Sequence, residues 1–195
     1  MNGIGMGIVL VLLPAGLVAA DGDGGQAAAD VIPVAEQLGG SSSGAEARAL
    51  SREELQFVDQ ALSHGMFEVR SSQLLLRRPP KDPREEVFAR MMIDDHSEVN
   101  RRLQRLVQDR GYVPSTRLDD EHEEMLEELA DLDGDELQKR YHAYHATAQE
   151  EAIELYEAAA RDLEDAQLRA FAQETLTLLR AHADHLATHD AELGR

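Results

Sequence analysis

Three histidines and one glutamate stand where leucines would pack better. Glu68 belongs to the helical row Phe57, Ala61, His64, Glu68 and Leu75, and His96 lies among Met92, Val99 and Leu103. His145 sits between Tyr141 and Ala148, and His182 between Leu179 and Leu186. Imidazole and carboxylate without thiolate, in a chain with no cysteine, is a donor set suited to Zn, Cu(II), Ni or Fe. A buried polar group left unpaired costs ~1–3 kcal/mol, so these four need a metal ion, a small ligand or one another. The expected metal ligands are therefore Glu68, His96, His145 and His182. The alternative is a structural or interaction module of the cell envelope, whose polar layer only sets helix register. Asp95 points about a quarter turn from His96 and suits an acceptor for a neighbouring helix better than a ligand.

The spacing argues against several chemistries. Di-iron bundles carry Glu-x-x-His pairs, whereas Ile93, Leu179 and His142 stand three residues before His96, His182 and His145. Ferroxidase or iron-storage activity is not expected, and a mononuclear site fits the donor count. No nucleophile elbow, phosphate loop or Ser/His/Asp signature stands out, and "DLDGDE" lacks the spacing of a calcium loop. Binding is expected rather than catalysis. His182, His185 and His189 share one face of the last helix and form a weaker chelating candidate.

Four long amphipathic segments must position these residues. The first opens on the capping box Ser51-Arg52-Glu53-Glu54 and stops at "RRPPKDP". The second starts at Asp82-Pro83 and ends at Gly111. A loop, "GYVPSTRLD", and a short helix, "DEHEEMLEEL", lead to a third segment, for which Asp133 and Glu136 suggest another capping box. The fourth starts near Asp165. No strand alternation competes, so the expected class is all-α: a ferritin-like antiparallel four-helix bundle with a short extra helix in the longer connection between the second and third helices. Glu68, His96 and His145 fall near mid-helix and His182 slightly past it, so the four are expected to meet at one height.

Composition bounds the partners. A formal net charge of -19 repels phosphate backbones, which excludes nucleic acid and favours a metal ion or another cationic ligand. Residues 1–20 are apolar from Ile4 onward and end in Val18-Ala19-Ala20, as in a cleaved export signal, with an uncleaved N-terminal anchor as the alternative. Residues 21–49, with "DGDGGQAAAD" and "GGSSSG", read as a flexible linker, and residues 50–195 as the bundle. The periplasm or cell envelope is the expected location, with any envelope partner unspecified.

Four segments carry a family resemblance. "GMFEV" resembles a Gly-x-x-Glu-Val pattern, "ARMMIDDHSEVN" a Met-x-x-Asp-His-x-x-x-Asn pattern, and "LTLLRAHADHL" a Leu-Pro-x-Leu-x-x-His pattern. "LQKRYHAYHATAQ" resembles a helix with a Tyr and, eight residues later, a His; here Tyr141 is followed at that distance by Gln149, and His145 lies one turn earlier. These patterns are similar to the bacterial family called domain of unknown function 4142. The resemblance covers about residues 51–193 and implies an exported, ferritin-like helical bundle with no settled function. It points to Glu68, His96 and His182.

Overall fold

The structure, a computed structural model, describes residues 48–78 and 80–193, with side chains as far as Thr188. The expected export signal over 1–20 and all but the last two residues of the expected linker lie outside the described residues. Five helices make up the described chain: α1 Arg52–Arg77, α2 Pro83–Gln108, α3 Asp120–Ala130, α4 Gly134–Asp162 and α5 Ala166–Leu193. Among the described residues there is no strand, and no helix is long and apolar enough to cross a membrane.

Local chemistry accounts for most helix ends. Ser51 accepts from the Glu54 amide while the Glu54 side chain takes the Ser51 amide, a complete capping box for α1. Asp82 caps α2, with Pro83 in the first turn where no amide hydrogen is needed. Asp119 accepts from the His122 amide at 2.9 Å and starts α3. Asp165 accepts from the Gln167 and Leu168 amides at the head of α5. The expected box at Asp133 does not form. Asp133 occupies the N-cap position of α4, but its side chain makes no capping bond; it pairs instead with Arg78 Nε at 3.2 Å. That pairing ties the turn before α4 to the end of α1.

α1 packs on α2 and α4, α4 on α5, and α2 on α5, while α3 lies against α1 and α4. Contact pairs give the chain directions. Ser72 meets Tyr141 and Phe57 meets Tyr156, so α1 and α4 run oppositely. Asp95 meets His182 and Arg102 meets Glu174, so α2 and α5 also run oppositely. Glu85–His142 and His96–Gln149 show α2 and α4 running in the same sense. The connection carrying α3 makes this possible by returning the chain along the bundle.

The core is not continuous. One apolar cluster contains Phe57, Leu62, Val99, Leu103, Tyr156, Phe171 and Leu179. The other contains Phe67, Leu75, Phe88, Met92, Leu137, Tyr141 and Leu186. Buried polar residues stand at the junction on every long helix: Glu68, His96, His145 with Gln149, and His182. The apolar stripes position this layer by burying the residues on either side of it.

Candidate metal centre

Mid-helix placement brings all four sequence-predicted residues into one layer. Glu68 is 1% exposed, His96 3%, His145 0% and His182 2%, so the layer is closed to bulk solvent. Its centre is a carboxylate–imidazole contact: His145 Nδ1 lies 2.5 Å from Glu68 Oε2, although the alignment is not that of a regular hydrogen bond. Ser71 donates its hydroxyl proton to the Phe67 carbonyl at 2.7 Å. The Ser71 oxygen is thereby left to accept from His145 Nε2, 2.8 Å away. Both His145 nitrogens are engaged, and its ring lies against Tyr141 with centroids 3.9 Å apart. Tyr141 is held in turn by Ser72 at 2.8 Å.

The other half of the layer has lone pairs to spare. The Gln149 amide nitrogen stands 3.4 Å from both Glu68 Oε1 and His96 Nε2, two long contacts to two electron-pair donors. His182 gives Nε2 to Asp95 at 2.9 Å, so Asp95 is the cross-helix acceptor anticipated from its position. His182 Nδ1 and Gln149 Oε1 are buried without a partner. The His96 and His182 rings lie 5.2 Å apart.

Electrostatics keeps Glu68 and His96 in metal-ready protonation states. Burial pushes the Glu68 carboxyl up, but His145, then His96 and His182, outweigh it and hold the group below its ordinary value. Burial lowers His96 to about 4, against the opposing pull of Glu68. At neutral pH the layer therefore presents a carboxylate and a neutral imidazole.

A second group escaped the sequence reading. Among the described residues, His64, His122 and Glu151 offer ligand atoms that all lie within 4.8 Å of one another, and this group could hold a metal ion. In the sequence His64 stands only as a member of the Glu68 row. The available signal for His122 is its place on the apolar face of α3, in the series Leu118, His122, Met125, Leu129. The pair Glu85–His142, each side chain no more than 3% exposed, was also missed; Glu85 reads in sequence as an ordinary acidic first-turn residue. The expected chelating face of α5 is divided: His182 is buried, while His185 is exposed and stacks on Phe88 at 4.9 Å. The side chain of His189 lies outside the described residues.

The family described as "Domain of unknown function (DUF4142)" matches residues 39–188. The chain belongs to the DUF4142 family. The segments that suggested it now have a spatial meaning: Gly65, Glu68, Asp95, His96, Asn100 and His182 line or adjoin the central layer. This DUF4142 chain matches no curated protein. It is similar in fold to the crystal structure of a DUF305 fragment from Deinococcus radiodurans, at 14% sequence identity and a TM-score of 0.65. That likeness covers 74% of this chain and 99% of the fragment.

Proposed function

We propose that this DUF4142 protein is an exported protein of the periplasm or cell envelope whose ferritin-like antiparallel four-helix bundle binds one divalent transition-metal ion, of the Zn, Cu, Ni or Fe class, in its central layer. The apolar run ending in Val18-Ala19-Ala20 supports export. The opposed directions of α1 with α4 and of α2 with α5 support the bundle arrangement.

One observation carries the metal reading: the layer holds more lone pairs than protons to fill them. Glu68 Oε1 and His96 Nε2 face a single amide group at 3.4 Å each, and His182 Nδ1 and Gln149 Oε1 are buried with nothing to accept from. A Lewis-acidic cation would draw Glu68, His96 and His182 as ligands, and their ligand atoms must close up to meet it, since among the described residues it is His64, His122 and Glu151 whose ligand atoms already stand within 4.8 Å of one another. Asp95 orients His182 from its other nitrogen, the usual arrangement behind a ligating histidine. His145 orients Glu68, and it becomes a ligand by releasing either Glu68 or Ser71.

The contacts His145–Glu68 and His182–Asp95 favour a second reading, in which the layer only orders the bundle. Elemental analysis of untagged protein, followed by melting with and without Zn, Ni, Cu or Mn, separates the two. Saturation of the central site at ~100 times its dissociation constant should add about 2.7 kcal/mol, and His96→Ala and His182→Ala should each remove that site's share of the gain. Protein that purifies empty and melts at one temperature with every ion would leave only the structural layer.

A further inference from the structure

We propose a second cation site, distinct from the central layer, on the flank of the bundle, where His64 of α1, His122 of α3 and Glu151 of α4 bind a divalent transition-metal ion and clamp α3 to the bundle. Three helices each contribute one ligand, and the ligand atoms already lie within 4.8 Å of one another. Donors around a tetrahedral ion at ~2.0–2.1 Å stand roughly 3.3 Å apart. Closing on an ion requires these atoms to draw together by at most about 1.5 Å.

The surroundings are those of a prepared ligand set. His122 Nδ1 lies 2.8 Å from Asp119 Oδ2 and 3.1 Å from Ser63 Oγ. With the proton on that nitrogen, Nε2 keeps its lone pair, and the carboxylate behind it fixes the ring, as for metal-bound histidines. The same Asp119 caps α3 through its other oxygen, and Ser63 accepts from the Asp119 amide at 2.9 Å. The first turn of α3 is thus tied to α1 at the point where His122 enters. His64 meets His122 edge to face, with ring centroids 4.5 Å apart, and its Nδ1 is buried without a hydrogen-bond partner. Burial, and then His122, hold His64 down to about 4, so it is a neutral donor at neutral pH.

Glu151 is exposed while His122 is buried, which gives an ion a route in from solvent. Partial desolvation of its carboxylate, then the charges of Glu121, Asp119 and Glu154 against the opposing pull of His122, raise the proton affinity of Glu151. A dication relieves that repulsion. Two imidazoles and one carboxylate select Zn, Ni or Cu(II) over Ca or Mg, which take all-oxygen sites.

The test uses untagged protein stripped with chelator and titrated with Co(II) alone, followed by its visible absorption and by calorimetry. The expected wild-type result is two ions per chain, with Glu151→Gln and His122→Ala each retaining one and His96→Ala retaining the other. Glu151 is at the surface, so its variant keeps the fold even if His122→Ala does not. Hydrogen exchange supplies a second readout: ion binding should slow exchange in residues 120–130 of the wild type and of His96→Ala, but not of Glu151→Gln. One ion bound by the wild type and kept in full by Glu151→Gln and His122→Ala, with no protection of α3, would overturn the flank site and leave the central reading standing. One ion lost in Glu151→Gln and kept in His96→Ala would support the flank site and overturn the central one.

Discussion

Gly65 of α1 lies directly against Asn100 of α2: a Cβ added to Gly65 would sit 2.1 Å from Asn100 Oδ1. The glycine is needed for space rather than for backbone freedom. One turn on, Glu68 and His96 interact across the same pair of helices. The two sequence segments "GMFEV" and "DDHSEVN" are therefore the two sides of one helix–helix contact, and the close approach at Gly65 helps set the depth at which Glu68 meets His96.

Gly65→Ala should destabilise the protein by about 1–3 kcal/mol, the usual cost of overpacking a close contact. Asn100→Ala in the same chain should restore much of the loss. Urea denaturation of the two single variants and the double variant measures the coupling.

Glu68→Gln removes one partner of a pair whose side chains are 2% and 0% exposed. The buried His145 ring is left without its partner and with no water to turn to, and a loss of about 3–5 kcal/mol is expected, the usual cost of breaking a buried pair. Replacing Glu68 and His145 together by apolar residues of similar volume should cost far less than either single change. Thermal melts of metal-free protein test this.

Metal-free protein should lose stability as pH falls from 6.5 towards 4. His64 and His96 are each lowered from 6.5 to about 4, so across that window the unfolded chain binds protons that the folded chain refuses. Stability then rises with pH. Each group contributes on the order of 3 kcal/mol, fully present above the unfolded value and gone below the folded one. Glu68, held below its ordinary value chiefly by His145 against the effect of burial, has the same sign: its contribution is present above the unfolded carboxyl value and fades at more acid pH. A denaturation series from pH 4 to 8 should show the slope, and His96→Gln should reduce it while His64 keeps the remainder.

Asp95→Ala should weaken ion binding at the central layer by ~10–100-fold, the usual cost of losing the acceptor behind a ligating histidine. Asp95 is half-buried, and its partner is His182 Nε2 at 2.9 Å. The fold should survive. Calorimetric titration with Zn gives the affinity, and far-UV circular dichroism checks the helices.

Local patterns made the helices legible before any packing was known. Ser51 with Glu54, Asp82 with Pro83, and Asp165 act through atoms a few residues away, so their capping follows from adjacency in the chain. The apolar periodicity of Met92, Val99 and Leu103, or of Leu179 and Leu186, likewise exposes any polar residue placed on that face. Glu68, His96, His145 and His182 could be recognised for that reason, and their mid-helix heights implied a common layer.

Partnership across helices was decided only by the tertiary structure. Asp133 has the sequence of a cap, yet Arg78 from the end of α1 takes its carboxylate. His145 looked like an available ligand until the packing of α1 on α4 set Glu68 on one of its nitrogens and Ser71 on the other. His64, His122 and Glu151 are separated by 58 and 29 residues along the chain, and no periodicity links them. They converge because the α2–α4 connection lays α3 against α1 and α4, bringing His122 onto His64. A helix's sequence determines which residues share its buried face. Which atom on a neighbouring helix each one meets depends on the rotation, register and direction of that neighbour, and these are settled by the packing of the whole bundle.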